Sequence, residues 1–232
     1  MRSCLLLCTF LIVWISSCKE TQEKKEESAP EIATLFPEKA QDMTIYEVNI
    51  RQYTPEGTIN AFIKHLPRLD EMGVDILWIM PVQPISKKNR KGKLGSYYAI
   101  QHYTKVNEAY GDLEDFKHLV EEAHDRDMLV ILDWVANHTG YDHPWTEKEG
   151  YYNTDSAGNI VSPNDDWTDV ADLNYDNEQM RQDMIDAMSW WVENTNIDGF
   201  RCDMAGLVPS DFWSEAIKRL QKEKDRFMLA EW

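Results

Sequence analysis

Two short apolar runs, each ending in a carboxylate, do most to limit what this chain can fold into. They are Gly199-Phe200-Arg201-Cys202-Asp203 and Leu229-Ala230-Glu231, and an amphipathic helical pattern over 209–220 lies between them. A strand, a helix and a second strand in that order form a βαβ unit, whose strands run parallel. Neighbouring parallel strands lie about 4.8 Å apart, so Asp203 and Glu231 are expected to face each other across about 5 Å. Alternate side chains on a strand share a face. Arg201 and Asp203 therefore point one way, while Phe200 and Cys202 point the other, toward packed helices.

A guanidinium beside a carboxylate on one buried face is expected to hold that carboxylate ionised, as a nucleophile requires. Two carboxylates about 5 Å apart also suit double displacement at a glycosidic carbon, one attacking and the other exchanging protons. The same residues describe a buried structural ion pair equally well, and taken alone they do not separate the two readings.

The rest of the chain repeats the alternation. Strand-like runs lie at 43–50, 74–81 and 128–132. A helical stripe over 58–72 carries Phe62, Ile63, Leu66 and Leu69, with Pro67 placed to kink it. Asp112 and Asp115 are spaced as a capping box ahead of a second stripe. Asp176 is the expected cap of a third, built on Met180, Met184, Ile185, Met188, Trp191 and Val192. Between the third strand and that helix, 140–175 is rich in Asp, Asn, Gly and Pro and longer than an ordinary connection. Strands apolar on both faces, alternating with helices, imply an α/β fold, either a (β/α) barrel or a doubly wound sheet. No glycine-rich phosphate loop follows the first strand, which weakens a dinucleotide-binding reading. The polar residues follow strands three, four and five instead, as in barrel enzymes.

The formal charge of −17 argues against nucleic acid or an anionic membrane surface as the main partner. Arg2 and the apolar run at 5–15 form a signal-peptide core, too short for a comfortable membrane span. Ile15-Ser16-Ser17-Cys18 then resembles a bacterial lipobox, with cleavage before Cys18 and lipid on its sulfur. That reading makes the protein an exported lipoprotein held at the outer membrane or cell surface through Cys18. Only Cys202 would remain in the folded part, leaving neither an intramolecular disulfide nor a cysteine metal cluster. Residues 19–31 are charged and lack large apolar side chains, as a disordered tether would.

With these residues placed, the chain resembles the α-amylase family of retaining glycoside hydrolases, family 13. Asp133-Trp134-Val135-Ala136-Asn137-His138 is similar to the family's Asp-x-Val-x-Asn-His stretch, and Gly199 to Asp203 to its nucleophile motif. Glu231 falls where the family keeps its acid/base. Gly73 to Pro81 is similar to the second-strand signature, and Asp172-Leu173-Asn174 to a motif near the end of an inserted domain B. The resemblance runs from about Tyr46 to Trp232. It implies a (β/α)8 TIM barrel of which strands one to five are present. The divisions that follow are a signal peptide over 1–17, a tether over 18–41, barrel segments over 42–139 and 176–232, and domain B over 140–175.

By the same resemblance Asp203 is the nucleophile and Glu231 the general acid/base. Arg201, His138, Tyr98 and Asp133 form the substrate-binding set, with Tyr97 a rival to Tyr98 and Asp133 a support beside the nucleophile. Asn137 and Asp172 match positions that hold a structural calcium in many relatives. Gly206-Leu207 stands where many relatives have Lys-His, a departure that puts the calcium in doubt. The implied substrate is starch, maltodextrin or another α-glucan. Transfer to a second sugar, or glycan binding without catalysis by a surface lipoprotein, are the alternatives. A third catalytic aspartate on strand seven would lie outside this sequence, so residues 19–232 alone are expected to be inactive.

Overall fold

The computed structural model describes residues 38–222 and 225–232. The predicted signal peptide, Cys18 and most of the tether lie outside those residues. The last four tether positions, 38–41, belong to a 3-10 helix, Glu38–Asp42, so regular structure starts just ahead of Met43.

The first strand, β1 (Ile45–Val48), is shorter than predicted because Asn49 turns the chain into a one-turn helix, α1 (Ile50–Tyr53). The helix expected over 58–72 is split into α2 (Ile59–Ile63) and α3 (Leu66–Glu71). Pro67 sits in the first turn of α3, where its missing N–H is harmless; within a continuous helix its ring would meet the carbonyl of Ile63. Next come β2 (Ile76–Ile79) and α4 (Leu113–His124). Asp112 accepts from the Asp115 N–H at 3.0 Å, and Asp115 accepts from the Asp112 N–H, which completes the predicted capping box.

Strand β3 (Leu129–Val135) runs three residues further than the apolar run, carrying Asp133 into the sheet. The segment after it forms a small antiparallel pair, β4 (His138–Gly140) and β5 (Val170–Asp172), with His138 opposite Asp172. Helix α5 (Glu178–Thr195) is capped by Asn177, whose side chain accepts from the Met180 N–H, and not by Asp176. It buries all six predicted stripe residues. Strand β6 (Gly199–Asp203), helix α6 (Ser210–Leu220) and strand β7 (Phe227–Ala230) complete the described elements. Glu231 lies one residue beyond β7, which is half-exposed and not the buried strand expected.

The five parallel strands are ordered β1-β2-β3-β6-β7. Each lies beside its predecessor in the chain, with no reversal of direction across the sheet. A doubly wound sheet reverses its strand order at a switch point; this one does not, and it is the wall of a partial (β/α) barrel. Behind it, Trp134 stacks on Tyr103 and meets Phe200 edge to face, while Phe116 of α4 packs on Trp191 of α5. Phe200 and Cys202 thus face the helical layer, as the alternation predicts, and both are buried.

Candidate active site

Strand register brings the charged residues together. Asp133 is opposite Arg201, and Val135 is opposite Asp203, across β3 and β6. Across β6 and β7, Cys202 is opposite Ala230, so the next residues along, Asp203 and Glu231, stand side by side. The Glu231 N–H donates to the Cys202 carbonyl at 3.0 Å, which extends the ladder past the strand end. Gly199 permits this close approach at the other end: a Cβ there would lie 1.8 Å from the Phe227 carbonyl oxygen.

Arg201 is the hub. Its Nη1 lies 2.9 Å from Asp203 Oδ1 and 3.1 Å from Asp133 Oδ2, and its Nη2 lies 2.6 Å from Glu231 Oε1. The guanidinium also sits 4.7 Å from the ring centroid of Trp78, whose indole N–H donates to Asp133 Oδ2 at 2.9 Å. One cation therefore serves three carboxylates.

Three carboxylates around one guanidinium cannot all ionise cheaply in a buried site. Burial pushes Asp133 up to about 7 against the pull of Arg201. Burial also pushes Asp203 up to about 6, with Arg201 opposing and Glu231 adding to the rise. Desolvation outweighs the pull of Arg201 in setting the direction of the shift, yet a value of about 6 leaves Asp203 largely ionised near neutral pH. Glu231 moves the other way. Burial raises it, but the Met204 N–H at 3.1 Å, together with Arg201, holds it below the usual glutamate range. The two carboxyls also act on each other, Glu231 raising Asp203 and Asp203 lowering Glu231.

A cavity of about 300 Å³ opens above the pair, walled by Tyr98, His138, Trp167 and Asp169, with Asp203 and Glu231 at its base. His138 is buried, its ring 5.6 Å from that of Trp167. Burial lowers it to about 4 against the pull of Asp169, so it is a neutral imidazole at physiological pH. Tyr98 lines this cavity; Tyr97 turns away and accepts from Arg51 Nε at 2.7 Å. Asp133 and Arg201 do not line it. Asp133 is wholly buried and touches Arg201 and Trp78.

Sequence reasoning missed Trp78, Trp167 and Asp169. Trp78 sits inside an apolar run and reads as core. Trp167 and Asp169 lie in the insert, where an aromatic among acidic residues (Asp165-Asp166-Trp167-Thr168-Asp169) was the only signal.

Asn137 immediately precedes β4, and Asp172 ends β5 opposite His138. The Asn153 amide donates to Asp172 Oδ2 at 2.7 Å, and burial raises Asp172. Among the described residues no three His, Cys, Asp or Glu side chains converge on a common metal position. Asn137 and Asp172 together offer an amide and a carboxylate, oxygen chemistry that suits a hard cation but fills only part of its coordination shell.

The model of the α-amylase catalytic domain matches residues 20–168 and 163–228. An α-amylase from Lactobacillus plantarum superimposes with a TM-score of 0.80 at 41% identity, over 82% of this chain and 45% of that one. The noncanonic maltogenic α-amylase AmyB from Thermotoga neapolitana gives 0.79 at 38%, over 83% and 46%. The α-amylase MalA of Haloarcula japonica is 31% identical over 207 residues, which are 83% of this chain and 30% of that protein. This chain therefore spans less than half the length of these relatives. Matched along most of its length in sequence and in fold, it belongs to the α-amylase family of glycoside hydrolases.

Proposed function

We propose that this protein hydrolyses α-glucosidic bonds in starch, maltodextrin or a related α-glucan, with retention of configuration at the anomeric carbon. The observation that carries the reading is the pairing of Asp203 and Glu231 at the ends of neighbouring strands, in a cavity walled by Tyr98, His138 and Trp167. An aromatic face and a neutral imidazole suit an uncharged sugar ring.

In the first step an Asp203 oxygen bonds to the anomeric carbon as the bond to the leaving oxygen breaks. Glu231 gives its proton to that oxygen. In the second, Glu231 takes a proton from water, the water oxygen bonds to the anomeric carbon, and the ester to Asp203 breaks. Both residues return to their starting state. The arrangement of the side chains favours the opposite proton placement, a first proton going to Asp203, since Arg201 and the Met204 N–H grip Glu231. Drawing Glu231 away from Arg201 toward the leaving oxygen corrects this, because it takes the cation from Glu231 and leaves it on Asp203. Each pKa unit so shifted is worth about 1.4 kcal/mol.

The test is proton NMR of the first product formed by the complete protein from a maltooligosaccharide. An α-anomer appearing first supports the reading. A β-anomer, or no cleavage, overturns it.

Calcium and export belong to the same proposal. Asn137 and Asp172 would hold the ion, with backbone carbonyls and water completing six to eight oxygens; it would brace the β4–β5 pair and supply no chemistry. Chelation is then expected to lower the Tm and added calcium to restore it. Lipid on Cys18 would anchor the exported protein, and Cys18→Ala is expected to release it from membranes.

A further inference from the structure

A second cavity, of about 420 Å³, shares no lining residue with the catalytic one. Its charged lining is Arg51, Lys87, Arg90 and Lys105 against a single acid, Glu108. That balance inverts the chain as a whole, which has 41 acidic and 24 basic residues. Among the described residues none of the four cations forms an ion pair. Arg51 spends its Nε on the Tyr97 hydroxyl, and Arg90 donates to the carbonyls of Ser86 and Ile85 at 2.8 and 3.0 Å. Asp142 is close by, but it accepts from the backbone N–H of Lys87, at 2.8 Å, and not from its ammonium. Lys87 and Lys105 are exposed at the cavity mouth.

Four cations lining one cavity with a single acid, and none of them ion-paired, repel one another, and an anion relieves that repulsion. With Arg51 held against Tyr97 and the Arg90 fork spent on the Ser86 and Ile85 carbonyls, the Lys87 and Lys105 ammonium groups are left to take an oxyanion, above all phosphate. A bare phosphate would leave much of the cavity unfilled. The remaining wall includes Leu94, 59% exposed, with Pro84, Val106 and the buried Tyr110. That wall suits an uncharged organic body.

We infer that this cavity is a binding site for a small organic phosphate ester of about monosaccharide size, separate from the Asp203–Glu231 centre. The inference does not depend on the hydrolytic reading. It is tested on the complete protein by phosphorus NMR titration with glucose 6-phosphate, with inorganic phosphate in parallel, for the wild type and for Lys87→Gln/Lys105→Gln. Saturable broadening of the ester signal is expected in the wild type, weakening as salt rises. The double variant, with an unchanged Tm, is expected to bind at least about tenfold more weakly. No saturable binding, or equal affinity in the variant, overturns the site. Equal affinity for inorganic phosphate overturns the ester assignment.

Discussion

Arg201 Nη2 lies 2.6 Å from Glu231 Oε1, and the same guanidinium reaches Asp203 and Asp133 through Nη1. The residue that neutralises the proposed nucleophile therefore also restrains the proposed acid. A lysine carries a single ammonium and cannot span three carboxylates. Arg201→Lys is expected to lower kcat/KM on maltooligosaccharides by about a hundredfold or more, on the scale of losing one preorganised donor. Steady-state kinetics check this, and wild-type rates would mean that the bridge is dispensable.

Gly199 is the second point of leverage. A methyl group there meets the backbone of Phe227 on β7 at 1.8 Å, and backbone cannot swing aside as a side chain can. Gly199→Ala is expected to push β7 away from β6 and carry Glu231 out of reach of Asp203. The expected loss is about 1–3 kcal/mol of stability, as for overpacking elsewhere. Urea denaturation and activity should fall together; an active, equally stable variant would contradict the register described.

Asp133 gives a pH signature with a definite sign. Burial raises it to about 7 in the folded protein, against about 3.9 when unfolded. Between those values the folded state holds the extra proton, so stability falls as pH rises from about 4 to about 7. Asp133→Asn removes that slope. The Tm of the variant minus that of the wild type is expected to climb across this window and to level off above it. Scanning calorimetry from pH 4 to 8 measures the difference, and a flat difference would show that Asp133 titrates normally.

The strands were legible because parallel strands buried on both faces are written as short continuous apolar runs. The cap of α4 was legible because Asp112 and Asp115 have one local geometry in which each satisfies the other's backbone. Asp203 and Glu231 were legible as strand-end carboxylates one βαβ unit apart. Strand ends were less so: β3 continues through Asp133 because Arg201 and Trp78 supply partners that only the folded sheet brings near. The choice of Asn177 over Asp176 as the α5 cap turned on one residue of phase. The upward shift of Asp203 was not legible for a related reason. Arg201 was visible as a neighbour of Asp203, but the burial that outweighs it arises only in the assembled site.

The central claim is that Asp203 becomes covalently bonded to the sugar. It is tested most directly by incubating the complete protein with 5-fluoro-α-glucosyl fluoride, digesting it and locating the adduct by peptide mass spectrometry. The account predicts one glucosyl ester, on the peptide that contains Asp203, and none in Asp203→Asn. An adduct on another residue, or inactivation with no adduct at Asp203, would contradict it.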